Sequence, residues 1–176
     1  MISFRKANID DLDSVLGIYN DAIAKFEVEK TFQWTKGFPP NEDSFRNDLI
    51  NNEIIVALEN DSIVGVMTLL LNGENDYLEI DGNWLNDDKY ITIHRIAISK
   101  NCYGKGVGSS LMKHAIDIAI KNDLNNIRID THELNYDMKK MLERNGFVRC
   151  GIIKLRNKNN DLRDAFQLVI NNGKKS

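Results

Sequence analysis

The chain has 176 residues, 42% hydrophobic and 28% charged, proportions that fit one globular domain with enough chain to bury a core and exclude a disordered, collagen-like or disulfide-rich protein. Lys and Arg total 23 against 26 Asp and Glu, a formal charge of −3, so no general basic field exists to hold nucleic acid or an anionic membrane, and any anion site must be local. The only cysteines, Cys102 and Cys150, have neither metal-ligand spacing nor a disulfide framework. Met1-Ile2-Ser3-Phe4-Arg5 is not an apolar leader, and the longest apolar run, Ile63 to Leu71, falls far short of the roughly 18 residues of a membrane helix. The expectation is a cytoplasmic protein with a single domain over residues 1–170 and a frayed polar tail over 171–176.

Along the chain, Leu12, Val15, Leu16, Tyr19, Ala22, Ile23 and Phe26 recur at helical steps, with Asn8 placed to cap and Asp10 and Asp11 where the helix dipole favours carboxylates. Asn41 can cap a second helix in which Phe45 and Leu49 share a face. Ile54 to Leu58 and Ile63 to Leu71 read as strands buried on both faces, joined as a hairpin by Glu59-Asn60-Asp61-Ser62. In Tyr90 to Ser99, Ile91 and Ile93 hold odd positions but Ile96 and Ile98 even ones. Either the strand is buried on both sides or a β-bulge near His94-Arg95 switches the parity. A helix carrying Val107, Leu111, Ala115, Ile118 and Ala119 follows, then a strand at Ile127 and Ile129. Asn135 can cap a short helix with Met138, Met141 and Leu142 inward, stopped by Asn145-Gly146. The last hairpin is expected over Phe147 to Leu155 and Asp164 to Ile170. The order is β-α-α-β-β-β-α-β-α-β-β, an α/β chain.

Tyr103-Gly104-Lys105-Gly106-Val107-Gly108-Ser109 lies between a strand and a helix, where free N–H groups and the helix dipole can receive a phosphate and glycine lets it approach the backbone. A triphosphate-binding loop would need glycine at Ser99 and Ser or Thr at Gly106, so that reading fails. A dinucleotide fingerprint is a poor match, and a tight turn without a ligand remains the bland alternative.

With Ile96-Ala97-Ile98-Ser99 running into this loop, Asn135 opening the next helix and Glu143-Arg144-Asn145-Gly146-Phe147 closing it, the sequence resembles the GNAT superfamily of acyl-coenzyme A-dependent N-acyltransferases. It is similar to a branch of uncharacterised substrate that shares Gly82-x-Trp84-Leu85, Ile93-His94-Arg95-Ile96-Ala97 and Asp130-Thr131-His132-x-x-Asn135. The resemblance implies a mixed, mostly antiparallel twisted sheet flanked by helices, with a bulge in the strand before the loop. It also implies acetyl-coenzyme A as acyl donor and no metal. The backbone of Ile96, Ala97 and Ile98 would pair with the pantetheine arm, and the loop from Tyr103 through Gly104, Lys105, Gly106, Val107, Gly108 and Ser109 would bind the pyrophosphate. Asn135 would complete the cofactor site. Tyr103 departs from the Gln or Arg that usually opens that loop, and Leu142 stands where many members carry a tyrosine acid.

The implied chemistry is attack of a neutral amine on a thioester, which a general base assists. His94, at the inferred bulge, is the first candidate base, with Glu79 and Asp81 as alternatives; the competing reading for His94 is a buried structural histidine, and for each carboxylate a solvated acidic loop. Trp34, Glu79, Asp81, Trp84 and His132 are the candidate acceptor contacts; Trp34, Trp84 and Phe38 could equally form a satellite core or a homodimer contact. A primary amine of a small molecule is the expected acceptor. The stretch Glu74 to Asp88, acidic and without Lys or Arg, favours a cationic one. A catalytically silent acyl-coenzyme A sensor or an interaction module is the alternative.

Overall fold

The computed structural model describes all residues except Phe32, 35–38, Asn157, Asn159 and 171–176; Phe38 and the expected frayed tail therefore lie outside the described residues. The elements are β1 (Ser3–Lys6), α1 (Leu12–Glu29), α2 (Glu42–Ile50), β2 (Ile54–Glu59), β3 (Ser62–Leu70), β4 (Asp81–Gly82), β5 (Tyr90–Ile98), α3 (Val107–Lys121), β6 (Asn126–Thr131), α4 (Tyr136–Arg144), β7 (Val148–Leu155) and β8 (Asp161–Val169). The eight strands form one mixed, mostly antiparallel sheet in the order β1-β2-β3-β5-β6-β8-β7-β4. Contacts divide the chain into two compact units, Met1–Leu69 with His94–Met112 and Leu70–Ile93 with Lys113–Ser176, so that β5 and α3 each belong partly to both.

In the first unit, β1 pairs antiparallel with β2 from Ser3↔Leu58 to Lys6↔Ile55. The β2–β3 hairpin turns through Asn60 and Asp61 at φ 50 and 62, the left-handed pair that matches the twist of a two-residue hairpin. Asn8 caps a short 3-10 turn ahead of α1, with Asp11 reciprocating. Arg5 on β1 donates two hydrogen bonds to the Asp11 carboxylate, at 2.6 and 2.8 Å, and these hold that carboxyl below its usual range. Val15, Ile18, Tyr19 and Ala22 of α1 and Phe45 of α2 bury their faces against Ile54, Val56, Val66 and Ala97 of the sheet. At Gly65 an added Cβ would meet Val107 and Leu111 side chains at 3.0 and 3.1 Å, so this glycine lets the start of α3 settle on β3.

In the second unit, β5 and β6 pair in parallel from Tyr90↔Asn126 to Thr92↔Arg128, and β6, β8 and β7 continue antiparallel. A parallel pair needs a crossover, which α3 supplies. Tyr77, Ile153, Leu155 and Ala165 form the core here, with Ile80, Trp84 and Tyr90 against them. Asn135 caps α4 through its Oδ1, which accepts from the Met138 N–H at 3.3 Å. Buried Asp164 receives ion pairs from Lys139 of α4 and Arg149 of β7; burial would push its carboxyl up, but the hydrogen bonds from both cations outweigh this and hold it low.

One boundary and one element differ from the sequence expectation by more than a residue. β8 begins at Asp161, not Asp164, because its register with β7 runs on to Leu155↔Asp161. The two-residue β4 was not foreseen; it pairs Asp81↔Ile152 and Gly82↔Gly151. A Cβ at Gly82 would lie 2.2 Å from the Cys150 carbonyl oxygen, and one at Gly151 2.2 Å from that of Asp81. Backbone must therefore move to admit any side chain. Gly82→Ala and Gly151→Ala are each expected to lose more than about 2 kcal/mol of stability. Gly17→Ala, at a helical site with open space, should instead gain about 0.5–1 kcal/mol. Urea melts of the three variants check this, and equal midpoints would refute it.

Candidate active site

Arg95 has φ 46 inside β5, which identifies the interruption expected near His94-Arg95. A bulky residue there costs about 1–2 kcal/mol, so the surroundings must hold it. They do so through Asp48, whose carboxylate accepts from Arg95 Nε at 2.7 Å and from its terminal nitrogen at 2.6 Å. Asp48 is 3% exposed and also accepts from Thr68 Oγ1 at 3.0 Å. Buried Tyr19 is hydrogen-bonded to Thr68, and burial pushes its hydroxyl well up. Glu53, at the entry to β2, adjoins the same group; burial and the Asp48 charge push its carboxyl up, while Arg95 and His94 oppose that. His94 is half-buried.

Beyond Arg95, Ala97 packs in the first unit's core, while Ile96 and Ile98 are half-buried. Ser99 donates its N–H to Val64 of β3 at 2.9 Å. Strand alternation therefore turns the N–H groups of Ile98 and Ile96 away from β3. The chain then makes a 3-10 turn over Lys100–Cys102 and enters the glycine loop. Gly104 and Gly106 have φ 75 and 81, and a Cβ on either meets nothing within 4 Å, so backbone conformation, not crowding, demands glycine. Gly108 lacks this constraint: α3 starts at Val107, placing Gly108 and Ser109 in its first turn, at the positive end of the helix. The loop with this helix start is a fit cradle for a pyrophosphate. Tyr103 is 41% exposed, with the Lys25 ammonium 5.5 Å from its ring centre; Lys105 is exposed.

Trp34 lies in the core of the first unit, 8% exposed, edge-on to Tyr19 and Phe26 at 5.6 and 5.5 Å. Packing thus accounts for an aromatic that sequence reasoning offered as an acceptor contact. In the second unit, Trp84 donates its indole N–H to the Tyr77 carbonyl at 3.0 Å, and the Arg128 guanidinium sits 4.1 Å from its ring and 4.0 Å from that of Tyr90. The protein's own cation therefore stacks on Trp84. Exposed Glu79 is ion-paired to Arg156 at 2.7 Å, and Asp81 is exposed on β4. His132 accepts from the Leu134 N–H at Nδ1, 3.2 Å, which orients its ring. Leu142 is fully buried.

The first unit thus carries His94, Ile96, Ala97 and Ile98 on one strand and runs directly into the glycine loop, while Glu79, Asp81, Trp84, His132 and Asn135 belong to the second. Sequence reasoning missed Asp48, Glu53 and Thr68 around Arg95. Asp130, read in the sequence only as part of a shared motif, is half-buried, accepts from the Tyr77 hydroxyl at 2.6 Å and faces Arg163 at 3.8 Å. One signal was present: Asp48 shares the apolar face of Phe45 and Leu49, where a charge needs a partner.

Residues 18–147 match the family described as Acetyltransferase (GNAT) family. Among solved structures, a GNAT-family acetyltransferase from Streptococcus agalactiae 2603 is 27% identical, with a TM-score of 0.85 over 96% of this chain and 95% of that one. A GNAT-family acetyltransferase from Listeria monocytogenes 4b F2365 superposes with a TM-score of 0.73 at 18% identity, covering 96% and 95%. The ribosomal-protein-S18-alanine N-acetyltransferase of Escherichia coli does so at 0.66 and 15%, covering 97% and 94%. No curated protein matches in sequence. With more than half of its length matched by the family, this chain belongs to the GNAT family of acetyltransferases.

Proposed function

We propose that the protein transfers an acetyl group from acetyl-coenzyme A to a primary amine of a small molecule. The observation that carries this reading is the left-handed Arg95 in β5, immediately ahead of a glycine loop with two left-handed glycines. In this reading the outward N–H groups of Ile96 and Ile98, with Ala97 between them, hold the pantetheine arm. The amides from Tyr103 to Ser109 hold the pyrophosphate, and Asn135 orders the start of α4. The amine nitrogen would bond to the thioester carbonyl carbon as the C–S bond breaks, and coenzyme A would leave as its thiolate. His94 takes the proton of the attacking amine, directly or through water, and an N–H at the bulge steadies the developing oxyanion.

For the acceptor we favour a cationic amine, drawn by the carboxylates between Glu74 and Asp88. Within that stretch, Arg156 answers Glu79 and also donates its N–H to Asp76. Asp81 and Asp88 thus carry more of the attraction than Glu79 does. With Arg128 stacked on Trp84, that ring contributes shape more than cation binding; His132 is the other proposed contact, and Trp34 acts only through packing.

The test is a size-matched panel of cationic, neutral and anionic amines, assayed with acetyl-coenzyme A at low and high salt. The cationic amines are expected to have the highest kcat/KM, falling with salt and in Glu79→Gln/Asp81→Asn. Preference for anionic amines, or indifference to salt and to the double variant, would reject the electrostatic reading. Calorimetric binding of acetyl-coenzyme A without transfer to any amine would replace the enzyme by a sensor.

A further inference from the structure

We propose that the Asp48–Arg95 ion pair is a clamp that sets the left-handed backbone at residue 95 of β5 for acyl transfer, Arg95 being a positioning residue that acts through its own backbone. The inference rests on the acetyl-transfer reading and adds to it the device that holds the reacting strand in shape.

Seven non-glycine residues among those described have positive φ: Lys30, Asn52, Asn60, Asp61, Arg95, Asp123 and Asn160. Six stand at turns or helix ends, and Arg95 alone stands inside a strand. Such a conformation persists only where the surroundings over-determine it. The Arg95 guanidinium meets Asp48 as a two-pronged fork, Nε on one carboxylate oxygen and the terminal nitrogen on the other, at 2.7 and 2.6 Å. That fork fixes the plane of the guanidinium as well as its distance. The receiving carboxylate is itself immobile. It is buried on α2, whose start is fixed by the Asn41 capping box, and Thr68 Oγ1 on β3 donates to it.

A guanidinium held by a carboxylate that α2 and β3 both fix therefore constrains the backbone torsion of residue 95. That torsion aims the next peptide N–H, which belongs to Ile96. Glu53 and His94 share the electrostatic surroundings of the pair, so the candidate base lies next to the clamped residue. Lysine could keep the charge but not the fork.

The test compares Asp48→Asn, Arg95→Gly and Asp48→Ala/Arg95→Gly with the unaltered protein, using acetyl-coenzyme A and an amine that the unaltered protein acetylates. Asp48→Asn should lower kcat by about 10–100-fold while leaving KM for acetyl-coenzyme A little changed, because the strand is misaligned rather than the donor lost. Glycine takes the left-handed torsion without help. Arg95→Gly, and the double variant with it, should therefore lose less kcat than Asp48→Asn does. A folded Asp48→Asn with unchanged kcat would overturn the clamp. So would loss of turnover in Arg95→Gly as deep as in Asp48→Asn, since the guanidinium would then be needed for itself. Should Asp48→Asn fail to fold, Arg95→Lys, which keeps the charge but not the fork, takes its place and should lower kcat in the same way, unchanged kcat overturning the clamp. A crystal structure of Asp48→Ala supplies a readout independent of activity: residue 95 should leave the left-handed region, and its staying there would overturn the proposal. Failure of the acetyl-transfer reading would show separately, as no transfer by the unaltered protein.

Discussion

His94→Ala is expected to lower kcat by about 10²–10⁴ with coenzyme A affinity close to that of the unaltered protein. An amine near neutral pH is mostly protonated, and the attacking nitrogen must shed its protons before or during attack on the thioester, so a positioned acceptor shortens the path. His94 stands one residue ahead of the left-handed Arg95, half-buried and within the electrostatic reach of Glu53. The proposed roles assign donor binding to the glycine loop and the Ile96–Ile98 backbone and none of it to the imidazole, which is why donor binding should survive its removal. His94→Gln divides the role further, since an amide can hold a water molecule but is a poor base. Thiol release from acetyl-coenzyme A measures turnover, and calorimetry measures donor affinity. Turnover equal to that of the unaltered protein in a folded His94→Ala across the neutral range would end this assignment; loss of donor binding alone would move His94 to the donor site.

Local signals predicted the local structure well. Asn8 and Asn41 cap where expected, and the turn at Asn60 and Asp61 closes the expected hairpin. A period-2 strand whose isoleucines change parity pointed to the irregularity that Arg95 marks. What stayed hidden depends on partners distant in the chain. Asp48 lies 47 residues before Arg95, and nothing in the nine residues of α2 says which strand its carboxylate will meet. β4 exists because Gly82 and Gly151 permit two backbones to approach, a condition that neither segment displays alone. Trp34 read as a loop aromatic because its edge-on neighbours, Tyr19 and Phe26, lie on the preceding helix and become visible only when the chain folds back. The acidic stretch from Glu74 to Asp88 likewise looked unopposed in sequence, while Arg156 reaches it from a segment 80 residues away.

Gly106→Val should weaken coenzyme A binding by at least about tenfold, since a left-handed residue with a branched side chain is disfavoured by about 1–2 kcal/mol or more. The glycine has φ 81, and space around an added Cβ is open, so the chain has no steric reason to reject valine; the backbone has one. Relief of that strain rotates the peptide planes ahead of Val107, and with them the N–H groups that the proposed pyrophosphate site uses. Gly106→Ala carries no branch and should fall between valine and glycine. Gly108 stands in the first turn of α3 with no left-handed torsion to lose, so Gly108→Val should weaken binding only as far as its bulk meets the phosphates or the buried surroundings of that residue. The expected order of donor affinity is therefore glycine, then Gly106→Ala, then Gly106→Val, read by calorimetric titration of folded protein with coenzyme A. Equal affinity for all three would show that residue 106 does not shape the donor site, and would move the pyrophosphate away from this loop.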